Sequence, residues 1–184
     1  RGGSITRALV TVGLALHLVG GLVACGVQVR STRSPELVHR AVRDAEDRRD
    51  VDSSELPFAL GSQYPGMRVL GLRVLARSEE VGTSSLAVPL LGDVDGNVAG
   101  WAAFALGQIG DEHAEAALLE SLRSVSRAPE QALLALARSG TASTAQGLVA
   151  WLEDKRSSVR AAAALGLGLV AKRDPSVLNA ERVH

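Results

Sequence analysis

Few side chains in this chain of 184 residues stand where they could do chemistry. Its one thiol is Cys25, and both a disulfide and a cysteine-built zinc site need at least two sulfurs, so neither forms within one chain. The four histidines, His17, His39, His113 and His184, lie far apart without ligand-type spacing and read as surface residues. Gly166-Leu167-Gly168-Leu169-Val170-Ala171 spells the dinucleotide pattern GxGxxA. That motif must follow a strand, however, and here Ala161 to Ala164 continue one helix. Asp93-Val94-Asp95-Gly96-Asn97 spaces its carboxylates as a calcium loop does. The twelfth position of such a loop is Phe104 where a bidentate glutamate is needed, so an inter-helix turn is expected instead. The pairs Glu79-Glu80 and Asp111-Glu112 read as helix starts, where acids favour the positive end of the dipole. With neither a GxSxG elbow nor an HExxH pair, no catalytic residue, metal ligand or cofactor is expected, and no small-molecule substrate.

The elements that carry these residues follow from composition and pattern. Twenty basic residues balance 20 acidic ones, so no net field draws the chain to nucleic acid. Hydrophobic residues make up 46% and aromatics only 3%, and Ala, Leu, Val and Gly are abundant. That mixture suits small-faced helices rather than a β-sandwich, and an all-α fold is expected.

Arg1 and Arg7 flank an apolar stretch, Ala8 to Ala24, of 17 residues, broken by Gly13, Gly20 and Gly21. A comfortable membrane span needs roughly 20 residues, so the stretch reads as a secretory signal over residues 1–24. It ends on Leu22-Val23-Ala24-Cys25, which resembles the lipobox of bacterial lipoproteins. The resemblance implies cleavage before Cys25, addition of diacylglycerol and a further acyl chain there, and a mature protein anchored in the cell envelope without spanning the membrane. Gly26 lacks the aspartate of an inner-membrane retention signal, which implies the periplasmic side of the outer membrane if the cell has two membranes. An uncleaved transmembrane anchor and an ordinary secretory signal are the alternatives. Residues 25–33 form a short polar tether, and the mature charge is about −2 because only Arg1 and Arg7 are removed.

Ser34-Pro35-Glu36 supplies a cap, a first-turn proline and an acid, so residues 34–50 form a first helix. The charge run Ala45 to Asp50 at its end reads as solvated. Beyond it lies a repeat over residues 51–174. Leu75, Leu106, Leu136 and Leu167 are 31, 30 and 31 residues apart, each followed by Ala76, Gly107, Ala137 or Gly168, small enough for close backbone approach. Four positions earlier stand Gly71, Ala102, Ala132 and Ala163, on the same helical face. A preceding helix is marked in each copy by Leu56 and Leu60, Ala87 and Leu91, Leu118 and Leu122, or Leu148 and Leu152, again four apart. Two antiparallel helices per period make a right-handed α-solenoid of about four repeats, with residues 175–184 beginning a further one.

The stretch Gly96 to Asp111 resembles the second helix and closing turn of HEAT-like repeats of the phycobilisome-lyase type, and Ser158 to Gly168 repeats the pattern. Such solenoids expose a long regular surface, which implies a non-catalytic scaffold holding a protein partner on its concave face. Arg77, Gln108 and Arg138, in one column of the repeat, and Trp101 in a neighbouring column are the candidate contacts. The lipobox, the solenoid and the charge run also resemble the start of exported proteins in which a cyclophilin-type prolyl isomerase follows the repeats. A bilin lyase-like chaperone is a third reading, from the name of the repeat type.

Overall fold

The computed structural model describes residues 34–124, 128–139 and 141–178. They form helices joined by turns, with no strand among them. The signal, lipobox and tether, Cys25 included, lie outside the described residues, as does most of the third joint, at 125–127. Among the described residues no helix is long and apolar enough to cross a membrane.

Helix α1 (Pro35–Arg48) starts where the Ser34 hydroxyl accepts from the Leu37 N–H, with Pro35 in the first turn. Four helix pairs follow. The first helices are α2 (Leu56–Leu60), α4 (Ser84–Ala87), α6 (Glu112–Arg123) and α8 (Ala142–Val149). Their partners are α3 (Pro65–Ser78), α5 (Gly96–Ile109), α7 (Pro129–Ser139) and α9 (Ser157–Arg173). Helices this short are marginal alone in water, so their stability comes from stacking. The second helices pack directly on one another in series, α3 on α5, α5 on α7 and α7 on α9, with α1 on α3, whereas the first helices approach each other far less. The second helices therefore form one continuous layer of an all-α solenoid, called here the inner face.

The core lies between the layers. Leu75, Leu106 and Leu136 are fully buried, and the glycine after the second of them is required by packing: a β-carbon on Gly107 would stand 2.8 Å from Cα of Ala135. Leu167 is only partly buried, and Gly168 faces open space. Sequence register alone had placed Gly168 at a close contact.

Two of the first-helix pairs also depart from the four-residue expectation. After Ala87 and Val149 the chain tightens into 3-10 turns, Val88–Gly92 and Ala150–Glu153. At three residues per turn, a residue four positions on has rotated off the buried face. Leu91 is accordingly half-buried and Leu152 is 38% exposed, while Ala87 and Leu148 are fully buried.

Polar bonds stitch each repeat to the next. Arg68 of α3 reaches the joint before α5 and holds Asp93 through Nε and Nη2 at 2.7 and 2.8 Å, both side chains being about nine-tenths buried. Asp95 caps α5 through the N–H groups of Asn97 and Val98. The two carboxylates of the DVDGN turn are therefore engaged in a repeat contact and a cap. Asp111 caps α6 through the Ala114 N–H and also accepts from the Gly82 N–H of the preceding loop. Burial pushes its carboxyl up, but those N–H groups and the Ser84 hydroxyl outweigh it and hold the pKa below the ordinary value. Glu115 accepts from Thr141 and Thr144, and Glu130 from Ser158. Glu79-Glu80, in contrast to Asp111-Glu112, do not start a helix. Glu79 is the C-cap of α3 with φ 54°, and α4 begins only at Ser84.

A candidate binding groove on the inner face

Where α1, α3 and α5 lie side by side, their C-terminal halves leave a groove of about 340 Å³. Glu46 and Arg49 enter it from the end of α1, Arg73, Arg77 and Glu79 from α3, and Trp101, Phe104 and Gln108 from α5. The spacing explains the convergence, since residues three and four apart share a helical face: 73 with 77, and 101 with 104 and 108.

Glu46 stands at the bottom, its side chain only 6% exposed, and one oxygen, Oε1, takes Arg73 Nη2 at 2.7 Å and Arg77 Nη1 at 3.3 Å. The charge run at the end of α1 is thus not simply solvated. A buried carboxylate must be paired, and its partners are 27 and 31 residues downstream. Both arginines remain largely accessible. Arg49 makes no side-chain hydrogen bond or ion pair among the described residues. Arg49 and Glu79 are also the two non-glycine residues with positive φ among those described, 57° and 54°, a backbone state that disfavours a β-carbon.

The α5 wall is aromatic. Trp101 and Phe104 meet edge to face, with centroids 5.5 Å apart at 84°. Trp101 packs partly on the core, and Phe104 is 41% exposed. Gln108 closes the end. Its Oε1 is buried and has no hydrogen-bond partner, which leaves an acceptor whose desolvation is uncompensated.

Three of the four residues singled out in the sequence, Arg77, Trp101 and Gln108, therefore share one groove. Arg138 is exposed on α7 but is not part of its lining; its carbonyl, with that of Ala137, accepts from the Arg173 guanidinium. Sequence reasoning missed Arg49, Arg73 and Phe104. Arg73 and Phe104 carried a usable signal, since they occupy equivalent places in the repeat four positions before Arg77 and Gln108.

A larger hollow of about 450 Å³ lies on the other layer, lined by Leu119, Leu122, Arg123, Trp151 and Asp154 among others. Two of its charged residues, Arg123 and Asp154, are paired locally. Arg123 pairs with Glu120, and hydrogen bonds from Arg156 hold the Asp154 carboxyl down at about 2. Volume favours this hollow, whereas the buried unpaired oxygen of Gln108 lies at the inner groove. Among the described residues there is no cluster of three or more metal-ligating side chains. His39 and His113 are exposed.

A family model described as PBS lyase HEAT-like repeat matches residues 98–124, the span of α5 and α6. No curated protein gives a significant match. The matched repeat is thus HEAT-like, and the groove wall formed by Trp101, Phe104 and Gln108 lies inside it.

Proposed function

We propose that the chain is a non-catalytic scaffold that holds another protein on its inner face, anchored to a membrane through an acylated Cys25. The observation that carries the binding reading is the groove. A half-buried Trp101, an exposed Phe104, accessible arginines and a buried acceptor without a partner converge on a surface that stacking builds. Trp and Arg are the residues most often found to dominate interfaces, and a preformed site loses little entropy on binding. The anchor reading is supported by the sequence alone, through Leu22, Val23, Ala24 and the thiol of Cys25. Two or more acyl chains hold a protein at a membrane where one would not. The mature protein then works in the cell envelope, on the periplasmic side of the outer membrane in a two-membrane cell.

Two experiments separate the halves. A photo-crosslinking residue at Gln131, exposed beside the aromatic wall, should capture one discrete protein, and the same residue at Gln146 on α8 should not. Equal capture from both layers would count against an inner-face site. Cys25→Ala should move the protein from the membrane to the soluble fraction, and retention would point to a transmembrane anchor.

A further inference from the structure

Equivalent positions of the second helices compose the inner face. In α3 they are Leu70, Arg73 and Arg77; in α5, Trp101, Phe104 and Gln108; in α7, Gln131, Leu134 and Arg138; in α9, Ala162, Leu165 and Leu169. The character of this surface changes along the stack. It is cationic at α3, aromatic at α5, and aliphatic at α9, where Leu165 and Leu169 are 58% and 43% exposed. Phe104 is 41% exposed as well, whereas Leu134 of α7 packs against the core, so the apolar side chains left in water lie at α5 and α9.

Charge selects what can lie along it. At the α1–α3 end Arg49, Arg73 and Arg77 face Glu46 and Glu79, and the oxygen of Glu46 is shared by two of the arginines. Over that lining three guanidiniums face two carboxylates, and the fork geometry of a guanidinium suits a carboxylate.

Resting on the scaffold reading above, we infer that the inner face takes an extended peptide segment of the partner, acidic at its α3 end and apolar toward α9. Packed helices stand about 8–10 Å apart and an extended chain advances about 3.3 Å per residue. The acidic residue over Arg77 and Arg49 is therefore followed by a large apolar residue about three positions on, over Trp101 and Phe104. Another lies about eight positions on, at Leu165 and Leu169.

The test is a display library of random dodecapeptides panned on the full chain and on Arg77→Glu. The wild type should enrich Asp or Glu about three positions from an aromatic or large aliphatic residue, and Arg77→Glu should enrich Lys or Arg at the same place. Synthetic peptides of each class should exchange preference by about tenfold in Kd between the two proteins. Enrichment without an acidic preference, an unchanged preference in Arg77→Glu, or no enrichment overturns the inference. So does tighter binding of a single-stranded oligonucleotide than of any selected peptide. Partner capture at Gln131 is scored independently, so its survival beside a failed panning would reject the acidic segment while leaving the scaffold standing.

Discussion

Gly107 and Gly168 occupy the same position of the repeat, two copies apart, yet their alanine variants should change stability in opposite directions. Both lie within helices, where replacing glycine by alanine gains about 0.8–1 kcal/mol. At Gly168 nothing lies within 4 Å of an added β-carbon, so Gly168→Ala should realise the whole gain. At Gly107 that carbon would stand 2.8 Å from both Cα and Cβ of Ala135, with the Ala135 carbonyl oxygen at 3.2 Å. A backbone atom cannot swing aside as a side-chain end can, so α5 and α7 must separate along their contact. Overpacking of this kind costs about 1–3 kcal/mol, which offsets the propensity gain and leaves Gly107→Ala about 1 kcal/mol less stable than wild type. For a chain of this size the two variants should differ by about 4–8 °C in Tm, from about 2–4 °C per kcal/mol. Circular dichroism melts and urea titrations of the purified proteins measure this. Equal shifts of the same sign would refute the stacking geometry, because the two glycines would then be equivalent in packing as well as in register.

Removing one member of the nearly buried Arg68–Asp93 pair leaves an uncompensated charge at a repeat junction, so Arg68→Ala should cost about 3 kcal/mol in urea unfolding; a loss below about 1 kcal/mol would mean that the pair is solvated. Asp111 has a carboxyl held below its ordinary 3.8, so its stabilising contribution is complete above that value and is lost as pH falls through the lowered folded pKa. Asp111→Asn keeps the cap without titrating. Its urea midpoint should fall less than that of wild type between about pH 5 and about pH 3, and parallel curves would exclude the role. Arg49→Gly and Glu79→Gly relieve left-handed backbone and should each raise stability by about 1 kcal/mol, and Arg49→Gly should also weaken binding of acidic peptides. Destabilisation by either would show that these caps are unstrained.

Much of the fold is legible in the sequence, because stacking repeats one local pattern. Leu75, Leu106 and Leu136 recur in phase, and the small residues that follow them are those that a close helix contact requires. What the sequence hides is set by neighbours distant along the chain or by changes of helix type. The exposure of Gly168 depends on which helix stacks beyond it. Leu91 and Leu152 leave the buried face because the helix tightens, marked by Pro89 in one copy and by nothing local in the other. Glu46 belongs to a charge run that looks solvated, and only folding brings Arg73 and Arg77 onto it. The groove was half visible for the same reason. The column containing Arg77 and Gln108 could be read from the period, but the part played by α1 could not.

The two tryptophans mark the two candidate surfaces, Trp101 in the inner groove and Trp151 in the hollow between α6 and α8. The most direct test of inner-face binding is therefore to titrate the protein captured through Gln131 into the variants Trp151→Phe and Trp101→Phe and follow the emission of the remaining tryptophan. Binding at the inner face predicts a saturable blue shift from Trp101 and none from Trp151. A shift confined to Trp151 would place the partner on the outer layer and contradict the proposed site.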